Sequence, residues 1–227
     1  MIQLRFAEIR PPESDVLRRL GVPGNVVPAP RVRDLLERAA SMTEEMAEGR
    51  GALRRVEAHA FERVHEGEGR NAPESPLLSI VPRAGSLALF VATIGPRIEE
   101  QVARLMPGDP ALATILDAFA SSAVSRAVDA LAVRFADGCG VGEWRVLPYS
   151  PGYCGWHLSG QRALFAAMGA ETAGVSLSAS CLMTPVKSVS GVLVAGVPSA
   201  HRFRPDYPFC EECETHECIP RMASVRR

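Results

Sequence analysis

Residues 109–138 constrain this chain more than any other stretch. Asp109 followed by Pro110 joins a side chain suited to capping a helix with the residue best suited to its first turn. From there Leu112, Ile115, Leu116, Phe119, Ala123, Val124, Ala127, Val128, Leu131 and Phe135 recur every three or four residues. That spacing gathers them into one broad stripe on a single long helix over about 110–136, ended by Asp137–Gly138. The domain is therefore expected to be built around a long central helix buried along one side.

Shorter signals surround it. A helix over 14–20 is stopped by Gly21 and Pro23, and Pro28 and Pro30 mark a connector. Residues 31–48 carry Val32, Leu35, Leu36, Ala39, Met42 and Met46 at helical spacing. In 52–64 the alternation of Val56, Ala58 and Ala60 with polar residues favours a strand, and the Gly- and Pro-bearing stretch after it a loop. LLSIV (77–81) and SLALFVATI (86–94) have the length and apolarity of buried strands, and the PRAG between them suggests a hairpin. A helix is expected from Pro96 to about Met106. An irregular Gly- and Pro-rich segment over 138–155 follows the central helix. Then come a helix over 158–168 capped near Ser159 and strands near 175–178 and 189–197. Mixed order of this kind indicates an α+β domain with an antiparallel sheet rather than repeated βαβ units. The expected division is an N-terminal helical segment (1–50), an α+β core (51–200) and a Cys-rich tail (201–227).

Charge and cysteine content narrow the function classes. Lys plus Arg number 25 against 26 Asp plus Glu, a net charge of -1, so no global field draws the chain to nucleic acid. The start, MIQLRFAEIR, lacks the apolar run of a signal peptide, and no stretch is apolar and uninterrupted enough to span a bilayer. A cytoplasmic location, away from membranes, is expected. The six cysteines then indicate metal-binding, redox or buried roles rather than a disulfide framework. Cys139 and Cys181 have the character of buried small hydrophobes. No G-x-S-x-G, Walker A or strand-led Rossmann glycine fingerprint is present.

Two segments carry candidate chemistry. In SPGYCGWHLSGQRALF, Pro151–Gly152 forms a turn at which the backbone can approach a ligand, and Tyr153, Trp156 and His157 follow at once. On local chemistry alone those aromatics are more often loop packing than a site, and Lys187 is a solvated strand edge. In the tail, FCEECETHECIPR places Cys210, Cys213 and Cys218 at C-x2-C-x4-C with His216 inside. A C-x2-C turn puts two thiolates on one metal, and His216 or Cys218 adds a third ligand. Zinc suits mixed thiolate and imidazole ligation, and an iron–sulfur cluster suits thiolates alone. Glu211, Glu212, Glu214 and Glu217 surround these thiols and make a compensating cation reasonable.

The ordered set SPGY, Gln161, Leu164–Phe165 and SLSASCLMTPVKSVSGV resembles the activation domain of cobalamin-dependent methionine synthase. With LALFVATIGPRIEE and DPALATILDA, it is most similar to short stand-alone proteins that share that domain. The resemblance implies a twisted antiparallel sheet with surrounding helices. It implies binding of S-adenosylmethionine and docking to a cobalamin-carrying protein whose cofactor is to be reduced and remethylated. It assigns Pro151, Gly152 and Tyr153 to contact with the ligand, with Gly152 and the backbone near it at the adenosyl part, and Asp129, on the helix before the loop, to the amino group. The family places Arg four residues before the Gly, and Pro148 stands there in this chain, with Arg145 three residues further back.

The expected function is that of an accessory protein for a corrinoid-dependent methyltransferase such as methionine synthase. It assists cobalamin reactivation as part of that system rather than as a self-contained enzyme. Two other readings use the tail differently: an iron–sulfur electron-transfer protein, or a small-molecule-binding protein whose tail holds structural zinc.

Overall fold

The computed structural model describes residues 1–139 and 144–202. Its centre is an antiparallel sheet of five strands: β1 (Ile2–Gln3), β2 (Arg50–Val56), β3 (Ser86–Thr93), β4 (Arg145–Tyr149) and β7 (Ser188–Gly196). They lie in the order β1-β2-β3-β7-β4. A separate two-stranded ribbon pairs β5 (Ser176–Leu177) with β6 (Met183–Thr184). Strand β3 is buried at every position after Ser86 because both sheet faces are covered. Its alternate residues divide between two cores. Ala88, Phe90 and Ala92 join Leu193 and Ala195 beneath the long helix α7 (Pro110–Asp137). Leu87, Leu89 and Val91 join Val192, Val194 and Tyr149 on the opposite face. Period-two alternation thus sets each residue's layer, and the fold is the α+β arrangement with a long helix that the sequence indicates.

Helix α7 begins as its sequence requires. Asp109 Oδ1 accepts from the Leu112 N–H at 3.1 Å, and Pro110 occupies the first turn. Every residue of the expected stripe is buried. Contact with the sheet is close because β2 has Gly51 below the helix, where a Cβ would lie 2.7 Å from Leu131 Cδ2. Although α7 is long and apolar enough to cross a membrane, 67% of its most apolar window is buried inside this core.

The N-terminal residues belong to the same core. Strand β1 pairs with β2, Ile2 opposite Gly51. Ile9 of α1 (Phe6–Ile9), Val16 of α2 (Glu13–Arg19), and Leu36 and Ala39 of α3 (Pro30–Met46) pack with the α7 stripe. Helix α6 (Arg97–Leu105) adds Ile98 and runs to Leu105, close to the expected end.

Three local expectations fail. The segment 138–155 is not irregular throughout: Arg145–Tyr149 form strand β4, paired along its length with β7 at the sheet edge, where Pro148 is tolerated. The strand over 52–64 stops at Val56, and α4 (Ala58–Glu66) follows. Phe61, Val64 and His65 form one buried face at helical spacing, which outweighs a three-residue alternation. LLSIV is not half of a hairpin but helix α5 (Pro76–Ile80) running into a 3-10 turn over Val81–Arg83. Ser75 Oγ caps the Leu77 N–H at 3.3 Å and Pro76 opens the first turn. A five-residue apolar run carries no period of its own, so these terminal signals decide it. The helix expected over 158–168 is α8 (Gly160–Met168), which lies with α4 on the face opposite α7.

Candidate functional site

The site begins where β4 leaves the sheet. Strand β4 runs antiparallel to β7, from Arg145 opposite Gly196 to Tyr149 opposite Val192. Its entry is set by Trp144, whose ring lies over Gly85: a Cβ there would sit 2.0 Å from Cη2. Its exit is set by Gly191 of the KSVSGV run. A Cβ on Gly191 would fall 2.2 Å from the Tyr149 carbonyl oxygen and 2.9 Å from Ser150 Oγ. Only a residue without a side chain lets the chain cross so near to β7 as it turns away.

The turn that follows is closed by its own backbone. Tyr153 N–H donates to Ser150 O at 3.2 Å, Trp156 N–H to Tyr153 O at 3.0 Å, and Gly152 N–H to Trp156 O at 2.7 Å. Gly152 takes φ +93° and Gly155 φ +73°, conformations favoured for glycine, and Cys154 is held at φ +53° between them. Pro151 is buried and Gly152 exposed, and Tyr153 keeps 43% of its surface accessible. An exposed glycine backbone beside an accessible phenol ring is a surface on which a flat, hydrogen-bonding group such as a purine can lie.

The turn is anchored in the layer opposite α7. Trp156 is 1% exposed and meets Phe61 edge-on, centroids 5.6 Å apart, and His65 at 5.5 Å. Gly160, at the start of α8, makes room for the indole, since a Cβ there would lie 2.2 Å from Trp156 Nε1. The segment 71–75 clamps the same loop from outside. Asn71 Oδ1 accepts from His157 N–H at 2.9 Å, Ala72 N–H donates to Gly155 O at 2.9 Å, and Ser75 Oγ donates to Cys154 O at 3.0 Å. Three contacts from a loop some eighty residues away therefore fix Cys154, Gly155 and His157. Sequence reasoning gave that loop no role. The Asn and Ser were visible as turn residues, but their partners are made by tertiary structure alone.

The structure brings Pro151, Gly152 and Tyr153 together and leaves Arg145 and Asp129 apart from them. Arg145 stands at the far end of β4, and six residues of nearly extended chain span roughly 20 Å. Asp129 is exposed on α7 and pairs with Arg126 at 3.0 Å. It lies two residues, about 200°, from the sheet-facing Leu131, so it points away from the sheet while the turn is rooted in the other layer. Pro148 supplies no cation on β4. The turn thus stands without Arg145 or Asp129 beside it, and Pro148 offers no bidentate partner for a carboxylate.

Three further residues can be placed. Lys187 is not a solvated strand edge: its side chain is 13% exposed and bonds Asp117 Oδ1 at 2.6 Å and Ser121 Oγ at 2.9 Å, tying the start of β7 to α7. Cys181 is buried, as expected. Cys139 is only half-buried, with Sγ 3.8 Å from the Arg55 guanidinium nitrogens and donating to Phe135 O at 3.2 Å. Cys210, Cys213, His216 and Cys218 lie outside the described residues. Among the described residues no group of three His, Cys, Asp or Glu side chains is placed to hold a metal.

Fold and turn together define an α+β domain with an exposed glycine turn at the end of an edge strand. Residues 141–206, which include β4, the turn, α8 and β7, match the family described as vitamin B12 dependent methionine synthase, activation domain. The fold matches a solved structure described as the crystal structure of the MetH reactivation domain bound to AdoHcy. The TM-score is 0.60 at 14% identity, over 91% of this chain and 79% of that one. No curated protein matches the sequence significantly. The chain therefore resembles the activation domain of cobalamin-dependent methionine synthase in the sequence of its turn-bearing segment and in its overall fold.

Proposed function

We propose that this protein is an accessory factor for a corrinoid-dependent methyltransferase, binding an S-adenosyl ligand at the Pro151–Tyr153 turn while it meets a cobalamin-carrying partner. One observation carries the reading: the segment matched to the activation domain contains the built turn, with its exposed Gly152 and Tyr153 held rigid from below by Trp156. The MetH neighbour, bound to AdoHcy, supports the ligand class. S-adenosylmethionine would supply the methyl group when bound, and cobalamin on the partner would accept it once reduced by an electron from a separate donor. This chain's own residues bind and orient: Gly152 offers backbone, Tyr153 its ring, and the 71–75 clamp holds both in place. Its setting would be the cytoplasm.

Calorimetric titration of the full chain with S-adenosylhomocysteine and with 5′-methylthioadenosine tests the ligand. Because Pro148 provides no cation, removal of the amino-acid end should weaken binding by less than about tenfold. Tyr153→Ala should weaken both ligands alike. No binding of either compound, together with no retention of a cobalamin-loaded partner on the immobilised protein, would refute the reading.

The cysteine tail is proposed as a metal site, with Cys210, Cys213, His216 and Cys218 as ligands for zinc or an iron–sulfur cluster. Support comes from the C-x2-C-x4-C spacing and the surrounding glutamates. Protein purified without oxygen should carry near-stoichiometric zinc or iron, and the double variant Cys210→Ser, Cys213→Ser should lose it. Full metal retention by that variant would remove the tail from the mechanism.

A further inference from the structure

One end of the sheet gathers four arginines. Arg145 opens β4 opposite Gly196, and Ser86 opens β3 opposite Ala195. Arg55 reaches that end from β2, its Nη1 donating to Ser86 Oγ at 3.1 Å and its Nη2 to Gly138 O at 2.7 Å. Arg83 donates to Ser199 O at 3.2 Å and to Arg202 O at 2.8 Å, which brings the 3-10 turn Pro198–His201 and Arg202 beside it. His201 Nε2 lies 3.1 Å from Arg145 O and ties that turn to the start of β4. All four arginines are exposed, and none of them pairs with a carboxylate among the described residues. The carbonyl and hydroxyl partners of Arg55 and Arg83 orient the guanidinium groups but leave their charge in place. Glu57 and Asp137, at the same end, offset two of the four charges at most.

The chain passes out of the described residues at Arg202, within this group. Residues 206–217 then carry Asp206, Glu211, Glu212, Glu214 and Glu217, with no Lys or Arg among them. The eight residues that lead from Arg202 to Cys210 cover about 26 Å when extended. Strand β4 is last in the sheet order, so its outer edge pairs with no strand among the described residues. Folded proteins cover, charge or shorten such edges.

We propose that the acidic segment 206–217 docks on the arginine end of its own sheet, its carboxylates against Arg55, Arg83, Arg145 and Arg202. The charges are opposite in sign and similar in number. The short connection holds the segment at an effective concentration of about millimolar, so pairs that are weak singly add to a lasting contact. Cys139 belongs to the same end, with Sγ 3.8 Å from both Arg55 nitrogens, and docking covers it. Cys154 follows the other end of β4, beyond five strand residues that span roughly 17 Å, and stays open. The docked segment fixes the tail cysteines beside the strand that leads into the Pro151–Tyr153 turn. Carboxylates make the contact, so it depends neither on a metal at those cysteines nor on the S-adenosyl reading.

The test is alkylation of the full chain, purified without oxygen, by iodoacetamide, with the rates at Cys139 and Cys154 read by peptide mass spectrometry. Changing Glu211, Glu212, Glu214 and Glu217 together to Gln leaves the core untouched. It should speed alkylation of Cys139 about fivefold or more and leave Cys154 unchanged. The double variant Arg145→Glu, Arg202→Glu leaves the tail untouched and should do the same. Neither of those side chains makes a hydrogen bond or ion pair among the described residues, so the fold is kept. Adding Lys at the four Glu positions to that double variant should restore slow alkylation of Cys139. One Cys139 rate in the wild-type protein and both variants would overturn the docking, as would equal acceleration at Cys139 and Cys154. Protection of Cys139 that fades as the protein is diluted would put the tail of a second copy there and overturn it as well.

Discussion

Replacing Gly191 by Ala tests the account of how the turn is placed. The added methyl carbon would sit 2.2 Å from the Tyr149 carbonyl oxygen, where a carbon–oxygen contact needs about 3.3 Å. The same carbon would lie 2.9 Å from Phe90 Cε1 and 2.9 Å from Ser150 Oγ. The serine can rotate, but the carbonyl is backbone and Phe90 is fully buried. Relief therefore requires the end of β4 to move about 1 Å away from β7, disturbing the pairing of Tyr149 with Val192. Overpacking of this kind costs roughly 2–3 kcal/mol, with the strained pairing included. For a domain of this size that lowers the melting temperature by about 4–12 °C. Circular dichroism gives the melt. Fluorescence of Trp156, rooted directly beneath the turn, gives the local effect, with Trp144→Phe as the background to isolate it. Gly108→Ala is the control, since nothing lies within 4 Å of its Cβ position, and it should melt within about 2 °C of wild type. The explanation fails if Gly191→Ala melts like Gly108→Ala and binds S-adenosylhomocysteine unchanged.

Other outcomes follow from the same structure. His65 has a folded pKa of about 4 against 6.5 in the unfolded chain, so protonation favours unfolding. Its share of stability is whole above pH 6.5 and is lost as pH falls to 4, by on the order of 2 kcal/mol after solvent screening is allowed for. His201 is also lowered by burial, with the same sign, so the difference between wild type and His65→Leu in urea titrations isolates the His65 share. Asn71→Ala strands the buried side of the His157 N–H and should cost about 1–2 kcal/mol, with faster hydrogen exchange at His157 and Gly155. Asp117→Asn should destabilise more than Lys187→Met. The first leaves a cation only 13% exposed with a weakened partner, while the second returns a half-exposed carboxylate to water. Urea midpoints should differ by about 1 kcal/mol equivalent, and the reverse order would refute the buried-cation account.

Periodicity determined the centre of this protein. The cap at Asp109, the Pro at the first turn and a ten-residue stripe leave no other conformation for 110–137, and each of these acts within a few residues of itself. The turn was legible for a similar reason: Pro151–Gly152 and Gly155 are local backbone chemistry, and the ordered motifs around them carry the resemblance. What lay between was not legible. LLSIV has no period, so its helix was decided by Ser75 and Pro76, and Val56–Ala60 alternates too briefly to outweigh the Phe61, Val64 and His65 face. The role of Gly191 cannot be read from SVSGV, because the atom it must avoid, the Tyr149 carbonyl oxygen, arrives from forty-odd residues earlier in the chain. Lys187 looked solvated because Asp117 and Ser121 are far off in sequence and adjacent only once α7 lies across the sheet. The separation of Arg145 and Asp129 from the turn likewise follows from an extended strand and from the helix face, neither of which motif spacing records. Local propensity chose the elements, whereas close approach between distant segments chose which side chains share a site. Such approach depends on burial across two sheet faces, which exists only in the folded chain.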